Sequence, residues 1–132
     1  MKMNSDDVGK LVLRLVLGVL LLLHGIFKVL NPASIGGIGG MLAAKGLPEY
    51  VAYGVFLGEL LAPLLMIPGI YTRVAGLLTV GNMVVAIFLA HSNQLFMLAK
   101  NGGWQLELQG FYLFSGLALM LLGSGRFAVR PD

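Results

Sequence analysis

Apolar positions fall into four long runs along this chain, separated by short polar or glycine-rich stretches, and each run approaches the length of a membrane helix. The first, residues 11–30, makes roughly 30 Å of helix, which matches the hydrocarbon core of a bilayer. Asn31-Pro32 closes it, because the residue before a proline is pushed out of the helical region. Further spans are expected at about 50–70, 74–90 and 106–122, the last ended by Gly123-Ser124-Gly125. Residues 31–49 carry Gly-Gly-Ile-Gly-Gly at 36–40, then Met-Leu-Ala-Ala-Lys. No Walker-type Gly-Lys-Ser/Thr follows, which argues against a phosphate cradle. The stretch reads instead as a flexible loop leading into a short interfacial helix. The expected fold class is all-α: an integral membrane four-helix bundle, with residues 1–132 forming a single transmembrane domain.

Composition agrees with this pattern. Hydrophobic residues make up 58% of the chain and charged residues 11%, against about 25% charged in soluble domains. The chain has no cysteine, which excludes disulfides and thiolate metal sites within it. Net charge is +3, but the basic residues sit near helix ends and form no nucleic-acid patch. Four spans put both termini on one side. Lys2, Lys10, Arg14, Arg73, Arg126 and Arg130 then lie on that side, and Lys28, Lys45 and Lys100 on the other. The positive-inside rule places the termini in the cytoplasm. The first span lacks a small-residue cleavage pattern and reads as a retained helix.

The chemistry lies in the polar residues inside the spans. Glu59 sits in the middle of the second run, where an acid costs about 2.5–3.5 kcal/mol to insert. A partner charge, a water-filled cavity or protonation has to offset that cost, and Arg14, His24 and Lys28 are the candidate partners. Pro63, four residues on, frees the backbone carbonyl of Glu59 itself. In the first span Arg14, His24 and Lys28 fall on one helical face, with Gly18 and Gly25 near it, where small residues allow another helix to come close. Counting 1.5 Å per residue from the outer ends puts His24 about 9 Å deep and Glu59 about 14 Å deep. His24, Lys28, Glu59, His91 and Glu107 are therefore expected to face one cavity in the outer half of the bundle. Asn82 reads as a packing residue and Trp104 as an interfacial anchor.

Three chemical readings of that cavity stay open. It fits a quinone or similar aromatic molecule, with His24 and Lys28 as donors and Glu59 as a proton carrier. It fits a proton-coupled transport site centred on Glu59. A haem between His24 and His91 is disfavoured, because axial ligands must meet at one depth. Against all three stands a purely structural role: Glu59 paired with a neighbour, and Glu107 favouring the N-terminal end of its helix.

Leu13-Arg14 with Gly18, His24-Gly25-x-x-Lys28, and Gly58-Glu59 followed by Gly69-x-x-x-Arg73, in a four-span chain of this length, together resemble the DoxX family over about residues 8–125. The resemblance implies a multi-pass protein of a bacterial or archaeal inner membrane. One relative is a subunit of a thiosulfate:quinone oxidoreductase, and others are linked to oxidative-stress complexes or to responses to quinones and catechols. It carries the family arginine onto Arg14, the helix-one lysine onto Lys28, the helix-two acid onto Glu59 and the turn arginine onto Arg73, and it supplies no catalytic set. The leading expectation is a component of a quinone-linked redox or oxidative-stress system. It would work as an oxidoreductase subunit beside a redox partner, because no flavin or dinucleotide motif is present, and no metal is expected. The alternatives are a non-catalytic scaffold or assembly subunit, and a small proton-coupled transporter using Glu59. A chain this small buries few helix faces, so a homo-oligomer or hetero-complex is expected in the lipid bilayer.

Overall fold

The computed structural model describes residues 5–132, apart from the side chains of residues 90–92. Among the described residues the chain is all-helical, with five helices and no strand. Helix α1, Ser5–Leu30, begins well before the apolar run. Asp6 and Asp7 favour its N-terminal end, and Asp6 pairs with Lys10 at 2.8 Å. It buries Arg14, Leu17, Gly18, Leu21 and Gly25, one stripe at helical spacing. Val12, Val16, Leu23, Phe27 and Leu30 face outward. A helix apolar on its outer as well as its inner face is suited to lipid. At its end the Asn31 side-chain amide donates to the Phe27 carbonyl at 2.9 Å.

The glycine-rich stretch departs from the expected loop. It is helical from the start, as α2, Ala33–Ala44. Four glycines make it a poor helix former, so tertiary packing decides. Ile35, Gly39 and Leu42 line one face and are buried, against Ala52, Val55 and Phe56 of the next helix. Gly46, with φ +77°, ends α2: the Leu47 N–H bonds the Leu42 carbonyl at 2.9 Å and the Gly46 N–H that of Ala43 at 3.0 Å.

Helix α3, Glu49–Met66, is composite. It opens as a 3₁₀ helix over Glu49–Gly54, widens to a π-helical turn over Leu57–Leu61, and closes as an α-helix over Ala62–Met66. Pro63 has no N–H to return to Glu59, and just before it the ladder slips by one residue: the Ala62 N–H bonds the Leu57 carbonyl. The Glu59 carbonyl lies against Gly25 of α1, where any β-carbon would collide with it. Helix α4, Thr72–Ala86, runs on into a second π turn, Ile87–His91. Helix α5, Glu107–Leu122, packs along α4. There a β-carbon on Gly76 would come within 2.6 Å of the Gly116 carbonyl, and one on Gly116 within 2.9 Å of Thr79, the close approach that small residues allow between membrane helices. α1, α3 and the segment Thr72–Leu89 are each long and apolar enough to cross a membrane; α5 is apolar but shorter, at 16 residues. The inter-helix core holds Leu17, Leu21, Ala62, Met66, Ala75 and Leu119.

The tail after α5 docks onto the ends of α1, α3 and α4. The buried Arg14 guanidinium donates to the carbonyls of Phe127 at 2.7 Å and Ser124 at 3.3 Å. Arg73 donates to the carbonyls of Leu121 at 2.8 Å and Met120 at 3.2 Å, the last turn of α5, and to that of Asp132 at 3.1 Å. The Asp132 carboxylate accepts the N–H groups of Arg73 and Ser124 at 2.9 and 3.1 Å. The tail backbone also pairs with the turn between α3 and α4, Val129 N–H to Pro68 carbonyl at 2.9 Å and Arg130 N–H to Gly69 carbonyl at 3.1 Å. Gly69, with φ +81°, occupies the centre of this junction: a β-carbon there would run into Arg14 and Ala128.

Gly69→Ala is therefore expected to lower stability by ~1–3 kcal/mol or more, since it adds two collisions to a left-handed backbone. Gly46→Ala carries the same backbone penalty with nothing within 4 Å of the new methyl, and is expected to lose less. Thermal unfolding of both variants in detergent checks this, and equal losses would remove the claim that Gly69 makes room for Arg14.

Candidate functional site

Glu59 sits in the π turn of α3 and is almost fully buried. Its carboxylate is held from two sides. The Lys28 ammonium, from the last turn of α1, donates to and pairs with Oε1. The Asn82 side-chain amide, from the middle of α4, donates to Oε2 at 3.2 Å. Two glycines permit this meeting. Gly58 lets Asn82 in, since a β-carbon there would lie 2.6 Å from Asn82 Cγ, and Gly25 lets α1 press against the Glu59 backbone. A buried carboxylate is tolerated when its charge is matched and its oxygens are hydrogen-bonded; Lys28 matches the charge, and Lys28 and Asn82 bond one oxygen each, which leaves acceptor capacity on both.

The same three side chains line a cavity of about 520 Å³ between α2, α3 and α4. That is within the roughly 300–1,000 Å³ typical of small-molecule sites. The rest of the wall is apolar or glycine: Met41 and Leu42 from α2, Val55 and Leu57 from α3, Leu78 and Leu89 from α4, with others of the same kind. One polar cluster in an apolar enclosure suits a molecule with a small polar head and a greasy body. Lys28 and Asn82 are donors and the Glu59 carboxylate an acceptor, so carbonyl and hydroxyl heads can both be bonded.

Of the five residues expected to share a cavity, the structure brings together Lys28 and Glu59. His24 is exposed on α1, its ring edge-on to buried Tyr112 at a centroid distance of 5.7 Å. Glu107 starts α5, exposed beside a separate depression lined by Trp104, Phe111 and Phe114. The backbone of His91 ends the second π turn, and its side chain lies outside the described residues. Arg14 and Arg73 hold the tail junction, while Gly18 packs on Ile67 and Met66 of the α3 end. Among the described residues no group of three or more His, Cys, Asp or Glu forms a metal site. Asn82 is the cavity residue that sequence reasoning passed over. Its signal was there, an amide inside an apolar helix, where polar side chains tend to bond across to another helix.

The fold and site define a small helical membrane protein built around a buried ion pair. The model of the DoxX family matches residues 9–92, and the chain belongs to that family. It is 28% identical over 128 residues to a protein of Bacillus subtilis (strain 168) named "Putative oxidoreductase CatD", covering 97% of this chain and 89% of that one. It is 33% identical over 121 residues to an uncharacterized protein of Haemophilus influenzae, covering 89% of this chain and 84% of the relative. No solved structure matches the chain. The matched family segment contains Lys28, Glu59 and Asn82.

Lys28→Met leaves a buried carboxylate without its cation and is expected to destabilise the protein by ~3–5 kcal/mol. Adding Glu59→Leu removes the stranded charge and is expected to restore most of that loss. Unfolding of the two single variants and the double variant checks the pair; additive losses would mean that Lys28 and Glu59 do not sustain one another.

Proposed function

We propose that the chain is a quinone-linked component of a redox system in the inner membrane, and that the Lys28–Glu59–Asn82 cavity receives the quinone head group. In this reading α5 serves as a short fourth span, the helices form a four-span bundle, and both termini face the cytoplasm, as the basic residues Lys10, Arg14, Arg73, Arg126 and Arg130 favour. The observation that carries the proposal is an ion pair with donor and acceptor capacity to spare in the wall of an otherwise apolar cavity. Lys28 and Asn82 would donate to a quinone carbonyl, and Glu59 would accept from a quinol hydroxyl. Converting a quinone to a quinol takes up two electrons and two protons. Glu59 and Lys28 are the proton-exchanging groups beside the bound head. The electrons would pass to or from a partner subunit, which accords with the oxidoreductase named among the relatives. His24 and Glu107 take no part in head-group binding here.

A scaffold role is the second reading, and a particular observation favours it. Arg14, Gly18, Gly25 and Arg73 all have structural duties at helix junctions, so the family pattern is partly a packing pattern. Solvent extraction and mass spectrometry of the gently purified protein separate the two. A stoichiometric quinone, lost in Glu59→Gln, is the expected result. A wild-type protein that carries none and a Glu59→Gln variant of unchanged stability would favour the scaffold.

A further inference from the structure

Two kinds of glycine occur in the helices. Gly25, Gly58, Gly76 and Gly116 are pressed against neighbours, and a β-carbon on any of them would collide. Gly9 in α1, Gly36, Gly37 and Gly40 in α2, Gly54 in α3 and Gly81 in α4 are open instead, and of these Gly54 and Gly81 stand at the cavity. Both line it, and neither has any atom within 4 Å of where a β-carbon would stand or a backbone that requires glycine. Glycine in such a place weakens a helix relative to alanine and gains nothing in packing. At Gly54 and Gly81 the space left open is part of the cavity.

That space has a direction. On α4, Leu77, Gly81 and Val85 follow one another at four-residue spacing, so Gly81 is a notch between two larger side chains. Leu77 and Val85 line the cavity and are also 56% and 48% exposed, as Leu57 opposite is 51% exposed. The rim is thus apolar and turned outward, on two helices that are each long and apolar enough to cross a membrane. Asn82, next to the notch in sequence, holds the Glu59 carboxylate inside.

We infer that the cavity opens sideways into the hydrocarbon of the bilayer through the Gly81 notch, and that its ligand is a membrane-dissolved, polyprenyl-tailed quinone whose chain leaves between α3 and α4. The identity of the head group rests on the proposed function; the sideways mouth rests on the rim alone. A quinone small and polar enough to arrive from water needs neither an apolar rim nor a vacant notch.

The test uses the full chain in lipid nanodiscs with two probes, a benzoquinone carrying one isoprene unit and one carrying a long polyprenyl chain, each titrated by mole fraction in lipid. Gly81→Leu fills the notch; Gly40→Leu, on α2 away from the cavity and with nothing near it, is the control. The expected result is that Gly81→Leu weakens long-chain binding about tenfold more than short-chain binding, roughly 1.4 kcal/mol, while the control binds both probes like the wild type; an equal loss for both probes overturns the inference. Unchanged long-chain binding in Gly81→Leu overturns the inference. Because the chain has no cysteine, Leu77→Cys accepts a single spin label, which reports the rim whether or not either quinone binds. Relaxation by oxygen and not by a water-soluble nickel chelate supports a mouth in lipid; relaxation by the chelate overturns it. If the wild type binds neither probe while the label reads lipid, the quinone head group falls and the sideways mouth stands.

Discussion

Keeping the Glu59 carboxylate inside a membrane-length helix is the constraint around which this molecule is arranged. The charge has to be matched, and Lys28 at the end of α1 and Asn82 in the middle of α4 do so. Matching it draws three helices to one point, and the backbone has to make room. Gly58 clears a path for Asn82, and Gly25 lets α1 ride directly on the α3 backbone. Pro63 and the π turn belong to the same solution, because Glu59 lies within the widened turn. Insertions of this kind in helices recur at functional sites. Here the widened turn coincides with the residue whose burial is hardest to sustain.

The opposite end of the molecule solves a similar problem with the other sign of charge. Arg14 is as deeply buried as Glu59, yet its partners are backbone carbonyls of the tail. Arg73 treats the last carbonyls of α5 in the same way, offering a cation where the helix dipole is negative. A guanidinium suits such work because its donors spread in a rigid planar fork. One end of the bundle is thus fastened by cations on main-chain oxygens, with the Asp132 carboxylate accepting main-chain N–H groups of Arg73 and Ser124. The other is fastened by an acid–cation–amide cluster that lines a cavity. The fork-held end reads as structure, whereas the cluster keeps exchangeable protons beside open space.

Much of this was legible in the sequence, and the parts that were not share a cause. Membrane-length apolar runs located α1, α3 and α4, and the cost of inserting Glu59 singled it out correctly as a residue needing partners. Its pairing with Lys28 was one of three candidates that helical periodicity left equal, since Arg14, His24 and Lys28 share a face; the structure decides for Lys28. The helical start of α2 was hidden because local propensity speaks against four glycines, and only contact with α3 outweighs it. The tail junction was equally hidden, as hydrogen bonds from Arg14 and Arg73 to main-chain carbonyls leave no pattern in side-chain types. His24 shows the limit of depth counting: a shared face and a similar depth did not bring it into the Glu59 cavity, because a helix face is wider than a pocket wall.

Glycine usage carries the argument one step further. In a chain whose helices meet at Gly25, Gly58, Gly76 and Gly116, small residues are the means of bringing backbones together. Packing accounts for each of those four by a named neighbour that a β-carbon would strike. The same account finds no neighbour for Gly9, Gly36, Gly37, Gly40, Gly54 or Gly81; of these, Gly54 and Gly81 stand on the wall of the cavity that contains the buried ion pair. Leucine at the two cavity positions would add dispersion contacts of the kind made around Leu17, Leu21 and Leu119. Vacancy beside a matched charge is what the proposed binding site requires and a scaffold does not, so the two readings part at this cavity.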